Sequence, residues 1–115
     1  MKTYEGLLYL HSHGEACDIL FLSSCSEPLA EELEWISGKN VTIRYWITEQ
    51  KCTKEEAQED FVRQIMGSAD CLFGARYSEI TGYLWTDEDL NVGGHDVIAE
   101  LKSFIGQWLI LEIEA

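Results

Sequence analysis

The feature that most constrains the fold is a strict two-residue alternation between positions 40 and 49. One set of alternate side chains is apolar and consists of Val41, Ile43, Tyr45 and Ile47. The intervening set is polar or aromatic and consists of Thr42, Arg44, Trp46 and Thr48. Because successive side chains of a strand point to opposite faces of a sheet, this alternation predicts a β-strand with one face in the core.

Strand-forming residues also dominate four other segments, at 3–13, 17–23, 69–86 and 107–114. The turn sequence His13-Gly14-Glu15 joins the first two of these, which predicts a β-hairpin. A helix is predicted within residues 26–38, where Pro28 suits the first helical position. Apolar residues at helical spacing predict another helix over 95–105.

The segment 53–66 carries the pattern of a third helix. Thr53 and Glu56 have the spacing of a capping box. Apolar residues then recur at helical spacing: Ala57, Phe61, Val62, Ile65 and Met66. In such a helix Glu59 and Arg63 would form an ion pair, because residues four apart are neighbours on a helix surface.

The predicted order of elements is β-β-(α)-β-α-β-α-β, in which strands outnumber helices. This order predicts one α+β domain over residues 1–115, with a mainly antiparallel five-stranded sheet and two to three helices. The same order is found in small OB-like barrels. An open sheet with helices on one face fits nearly as well.

Charge is the largest deviation from an ordinary composition. The chain has 8 Lys+Arg against 21 Asp+Glu, a formal net charge of −13 that is spread along the sequence. Such a surface repels phosphate backbones and anionic membranes, so neither long nucleic acid nor a membrane is an expected partner. It attracts a basic protein partner. The alternative is that the surplus serves solubility alone.

The first residues lack the apolar run of a signal peptide, and no segment approaches the length of a membrane span, so a cytoplasmic location is predicted. The cysteines Cys17, Cys25, Cys52 and Cys71 are widely spaced. Reduced structural thiols are therefore predicted in place of a disulfide framework.

An aromatic and basic face is the strongest candidate for a binding site. Arg44 and Trp46 share the non-core face of their strand, and other aromatic and basic residues lie on the strands that follow. The candidate binding residues are Arg44, Trp46, Arg76, Tyr83, Trp85 and Trp108. Aromatic and arginine side chains are enriched in binding hot spots and also stack nucleic-acid bases. The alternative is that helices cover this face and the tryptophans belong to the core.

The other motifs support less chemistry. A polar loop predicted at 87–94 resembles a calcium loop only in its first ligands. His11 and His13 share one face of a strand, but their spacing matches no structural zinc motif. Gly93-Gly94 leads into a helix N-terminus that could bind an anion, but Asp96 at the same end is expected to cap the helix, so phosphate binding is the weaker interpretation. No catalytic residue, metal ligand or cofactor is therefore predicted.

Three functions follow in order of preference. The first is a non-enzymatic interaction module, an acidic inhibitor of the immunity, antitoxin or anti-defence kind that docks on a basic partner. The second is a barrel that binds a small ligand or single-stranded nucleic acid through the aromatic face. The third is an enzyme of unknown type. The sequence leaves a homo-oligomer open.

Overall fold

The computed structural model describes residues 1–13, 16–77, 80 and 84–115, and only the backbone of residues 13, 16, 75–77 and 84–86. Its strands are β1 (Lys2–His13), β2 (Ala16–Leu22), β3 (Asn40–Thr48), β4 (Phe61–Tyr77), β5 (Leu84–Val92), β6 (His95–Asp96) and β7 (Trp108–Glu114). Its α-helices are α1 (Leu29–Glu32) and α2 (Val97–Lys102). Short 3-10 turns occupy Glu34–Ile36 and Gln58–Asp60.

All described strands join one antiparallel sheet in the order β2-β1-β7-β3-β4-β5-β6. The two longest strands each belong to two ladders. The first half of β1 pairs with β7 and its second half with β2, whereas β4 pairs first with β3 and then with β5. The result is a central four-stranded sheet with two hairpin arms, β1–β2 and β4–β5, that together form a half-barrel.

The main core lies on one face of this sheet, which we call the inner face. Both helices contribute to it, α1 through Leu29 and α2 through Val97 and Leu101. The predicted apolar face of β3 also lies there, and its members are at most 8% exposed: Val41, Ile43, Tyr45 and Ile47. The interpretation of 40–49 as a half-buried strand is therefore confirmed.

A carboxylate joins the two arms. Glu88 on β5 accepts a hydrogen bond from the backbone N–H of Leu20 at 2.7 Å, at the outer edge of β2. The same carboxylate lies 2.5 Å from Nζ of Lys102 on α2, and its side chain is only 4% exposed. The arms thus approach through a side chain and not through a ladder, so the described strands do not close into an OB-like barrel.

Two glycines allow β4 to bend where it leaves β3 and begins to pair with β5. Gly93 has φ +55°, and a Cβ added to it would lie 2.3 Å from the carbonyl oxygen of Met66. A Cβ added to Gly67 would lie 2.7 Å from the Cα of Gly93. After this turn Asp96 caps α2, since its side chain accepts a hydrogen bond from Ala99 N–H at 3.2 Å, as predicted.

The predicted helix 53–66 is wrong. Thr53 and Glu56 do form reciprocal capping-box hydrogen bonds of 3.2 and 3.3 Å, but only turns follow, and β4 begins at Phe61. In β4 the side chains alternate, so that Ile65 is 3% exposed and Met66 is 64% exposed. The ladder with β3 overrides the local helical pattern because it buries one face of an adjoining strand.

The strand count was also underestimated, since five strands were predicted and the described residues form seven. The predicted strand 69–86 corresponds to the end of β4 and the start of β5. The predicted polar loop at 87–94 is wrong for residues 87–92, which belong to β5. Among the described residues, no helix has both the length and the apolar character that crossing a membrane requires.

Candidate functional site

The outer face of the central sheet brings together three of the predicted binding residues, Arg44, Trp46 and Trp108. In the ladders Trp46 on β3 lies between Ile110 on β7 and Phe61 on β4. Trp108 starts β7 opposite Thr48. Arg44 and Trp46 share this face through the alternation of β3, and the ladder with β7 brings Trp108 to the same face from a distant part of the sequence.

Residues 49–60, which we call the cover segment, lie over part of this face. Trp46 is only 7% exposed and packs against Ala57, which is fully buried, and against Ile110. The ring of Phe61 meets the indole edge-on, with centroids 5.5 Å apart. A ligand would therefore reach Trp46 only after Ala57 and its neighbours moved away.

A buried ion pair fastens the cover segment to the sheet. Lys54 reaches down to the carboxylate of Glu112 on β7, a residue that is 3% exposed. On the way its ammonium lies 5.3 Å from the centre of the Trp46 ring. The backbone hydrogen bonds that Ala57 and Asp60 donate stay within the segment, so side chains hold it in place.

The remaining predicted residues lie elsewhere. Arg76 and Trp85 are directly opposite each other on the β4–β5 arm, and only their backbones are described. In the ladders Gln64 of β4 is opposite Arg44. Arg76 lies 12 residues farther along β4 than Gln64, which corresponds to ~40 Å of strand. Tyr83 lies outside the described residues. The binding role of all six residues stays a prediction.

Sequence reasoning missed a second aromatic site, formed by Trp35 and Tyr4. The indole N–H of Trp35 donates a hydrogen bond of 2.8 Å to the Tyr4 hydroxyl. The ammonium groups of Lys2 and Lys39 lie 5.7 and 5.2 Å from the centre of the Trp35 ring. These residues are far apart in the sequence and carry no shared pattern, so no local signal could have revealed the cluster.

Every lysine and arginine side chain that the structure describes contacts either an aromatic ring or a carboxylate. Four lysines lie over aromatic rings: Lys2, Lys39, Lys51 and Lys54. Four cations pair with carboxylates: Lys54 with Glu112, Lys102 with Glu88, Arg44 with Glu114 and Arg63 with Glu100. Four of the seven described cations are therefore neutralised by carboxylates, and the other three, Lys2, Lys39 and Lys51, keep their charge beside aromatic rings.

Many carboxylates, by contrast, have no cation partner in the described part of the chain. One group lies on the cover segment and consists of Glu49, Glu55, Glu59 and Asp60, all exposed. Another group lies around Cys71 at the start of the β4–β5 arm and consists of Glu34, Asp70 and Asp89, and the exposed Glu27 precedes α1 in the chain. The net negative charge therefore resides in side chains that the fold leaves unneutralised.

A half-buried thiol, that of Cys71, lies among the carboxylates of this second group. Cys71 donates a hydrogen bond of 3.1 Å to the carbonyl oxygen of Ala30 on α1. Burial first, and then the negative charges of Glu34, Asp70 and Asp89, raise the pKa of Cys71 from 9.0 to about 11. A raised thiol pKa is the expected effect of surrounding carboxylates, because they disfavour a second negative charge.

A mixed polar cluster lies where α2 meets the central sheet. Glu100 accepts a hydrogen bond from the Tyr45 hydroxyl at 2.8 Å and pairs with Arg63 at 3.3 Å. Nδ1 of His95 is 3.7 Å from the same carboxylate. Burial, followed by the contact with Glu100, raises the pKa of Tyr45, which keeps its hydroxyl protonated as a donor. These contacts tie α2 to β3 and β4.

The described residues contain no group of three or more His, Cys, Asp or Glu side chains that could hold a metal ion. Asp87 and Asp89, the first of the calcium-like residues, lie on β5 within the sheet. His11 is exposed on β1 beside Phe21, with ring centroids 6.1 Å apart, and the side chain of His13 is not described.

Comparisons with protein-family models, with curated proteins and with solved structures find no match for this chain. Its function must therefore be inferred from its own surface.

Proposed function

We propose that this protein is a non-enzymatic interaction module that docks on a basic protein partner through its unpaired carboxylates. The supporting observation is the division of charge described above: four of the seven described cations are neutralised by carboxylates of the fold, and the carboxylates of the cover segment remain unpaired at the surface. An acidic inhibitor of the immunity, antitoxin or anti-defence kind fits this arrangement.

The physical reason is that unpaired surface charge acts on an approaching partner, whereas paired charge is largely cancelled. A net charge of −13 raises the encounter rate with a basic surface, and the effect on association is expected to be about tenfold or more at low salt. Salt ions screen the attraction within ~10 Å at 0.1 M, so binding weakens as salt is added.

The test uses two variants that remove the same charge from different places. One is Glu55→Gln/Glu59→Gln/Asp60→Asn on the cover segment, and the other is Glu27→Gln/Glu34→Gln/Asp70→Asn near α1. A partner is first captured from the source cells and purified. Its association rate with each variant is then measured from about 50 to about 500 mM salt, a range over which the screening length becomes several-fold shorter.

We expect at least one variant to associate about tenfold more slowly than the unaltered protein and to depend less on salt. If both variants and the unaltered protein associate at the same rate, the carboxylates serve solubility and the proposal fails. An equal decrease in association rate for both variants would indicate that the net charge of the whole surface attracts the partner. An unequal decrease identifies the group of carboxylates at which the partner docks.

A further inference from the structure

The first part of β4, residues 61–66, forms an edge of the central sheet. On one side these residues pair with β3. On the other side no described strand pairs with them, because β5 pairs with β4 only from Ala69 onward. The open stretch ends at Met66, whose carbonyl oxygen lies against Gly93. An unpaired strand edge offers backbone N–H and C=O groups to any extended chain that approaches it.

The hydrogen-bond pattern identifies which groups are offered. Ala69 N–H donates to the carbonyl oxygen of Lys39 at 2.9 Å, so Ala69 directs its N–H toward the start of β3, whereas the carbonyl oxygen of Ser68 accepts from Gly93 N–H on the opposite side. Successive residues of a strand direct their backbone groups to opposite sides in this way. Arg63 and Ile65 therefore direct their backbone groups to β3, and Gln64 directs its N–H and C=O away from β3 to the open side.

The side chains along this edge are unusually apolar for an exposed strand. Phe61 is 45% exposed, Val62 is 38% exposed and Met66 is 64% exposed. The register with β3 shifts between Tyr45 and Trp46, which places a bulge beside Val62. Bulges redirect side chains and are frequent at the edges of sheets and next to functional sites.

Acidic side chains precede the apolar residues directly. Glu59 and Asp60 are exposed and have no cation partner among the described residues. A strand that added to the edge would place its own side chains next to these carboxylates. Lysine or arginine side chains of the added strand would be attracted to these carboxylates. A second copy of this chain, with its own net charge of −13, would be repelled.

We propose that the edge of β4 between Phe61 and Met66 receives an extended basic segment of the partner as an added strand. This inference rests on the proposed function and names the place and the form of the contact. Main-chain hydrogen bonds to Gln64 would supply affinity, and contacts with Phe61 and Met66 would favour apolar residues at alternate positions of the incoming strand.

The experiment uses a pair of substitutions at one position. Gln64→Pro removes the N–H that faces the open side and leaves the ladder with β3 intact, because proline is tolerated at edge positions whose N–H faces solvent. Gln64→Ala is the control, since it keeps the N–H and loses the same contact with Arg44. The probe is a fluorescein-labelled decapeptide of alternating lysine and valine, and binding is followed by fluorescence anisotropy.

We expect Gln64→Ala to bind the peptide as the unaltered protein does and Gln64→Pro to bind it about tenfold or more weakly, the loss of a main-chain hydrogen bond or two. Hydrogen exchange on the unaltered protein gives a readout that does not depend on how the proline variant folds. There the amide of Gln64 should exchange more slowly when the peptide is bound.

Three outcomes would overturn the inference. The first is equal peptide binding by both variants, and the second is unchanged exchange at Gln64 in the presence of saturating peptide. The third is a dimer of the unaltered protein that Gln64→Pro dissociates, which would identify a second copy as the occupant. Each of these leaves the proposed function standing, because that proposal is decided by the charge variants and their salt dependence.

Discussion

Replacing Lys54 tests how the cover segment is held over Trp46. Lys54→Met keeps most of the side-chain volume and removes the ammonium that pairs with Glu112. The carboxylate, 3% exposed in the folded protein, would then be buried without its cation. Removing one partner of a buried pair is costly because the other charge remains desolvated.

The magnitude follows from the exposure of the two partners. Breaking a fully buried pair costs ~3–5 kcal/mol. Here Glu112 is buried but the Lys54 side chain is 42% exposed, so water reaches one end of the pair and reduces the loss. We therefore expect Lys54→Met to lower the free energy of unfolding by about 2 kcal/mol. The lost contact of the ammonium with the Trp46 ring accounts for about 0.5 kcal/mol of this.

Urea unfolding monitored by circular dichroism measures the change, with Lys51→Met as the control. Lys51 belongs to the same segment and lies 5.7 Å from the centre of the Trp108 ring, but it has no carboxylate partner in the described part of the chain. Its replacement should cost at most about 0.5 kcal/mol. The double variant Lys54→Met/Glu112→Leu should recover most of the loss. Equal stabilities of the two single variants would refute the reasoning.

Two other perturbations test the packing around β4. At pH 8 Cys71 should react with iodoacetamide ~100-fold more slowly than a thiol of pKa 9.0, because its pKa of about 11 leaves ~100-fold less thiolate. Mass spectrometry should therefore find the exposed Cys17 alkylated before Cys71. Similar rates at the two cysteines would contradict this. Gly93→Ala should destabilise the fold by more than about 2 kcal/mol, since it adds a clash with Met66 to a cost of ~1–2 kcal/mol for a left-handed backbone. Gly94→Ala, with φ +85° and open space around it, carries the backbone cost alone, so equal thermal stabilities of the two variants would show that the clash is relieved.

The parts of the fold that the sequence predicts are those where one strong local signal acts alone. The alternation at 40–49 has no helical interpretation, and β3 occupies 40–48. The helix expected at 95–105 is present in shortened form as α2, begun by the capping carboxylate of Asp96. Where the local signal was ambiguous, the outcome depended on pairing partners distant in the sequence, which a single chain does not reveal.

The segment 53–66 is the clearest example of that ambiguity. Phe61 and Ile65 fit one apolar stripe of a helix. In β4 a bulge lies between them, so Ile65 is opposite Ile43 of the inner face and Phe61 is opposite Trp46 of the outer face. The capping box at Thr53 is real and forms its hydrogen bonds without a helix after it. Strand pairing decides between the readings, and β3 was available as the neighbour.

The error at 53–66 has a direct consequence for charge, and therefore for the candidate surface. A helix there would have paired Glu59 with Arg63 and neutralised both. In β4 the arginine turns to the inner face and pairs with Glu100 of α2 at 3.3 Å, and Glu59 remains exposed at the end of the cover segment. Net charge can be counted in a sequence, but which carboxylates act on a partner depends on which cations the fold has already used. In this protein long-range contacts pair four of the described cations with carboxylates, among them Arg63 with Glu100, and Glu59 and Asp60 remain unpaired beside the open edge of β4.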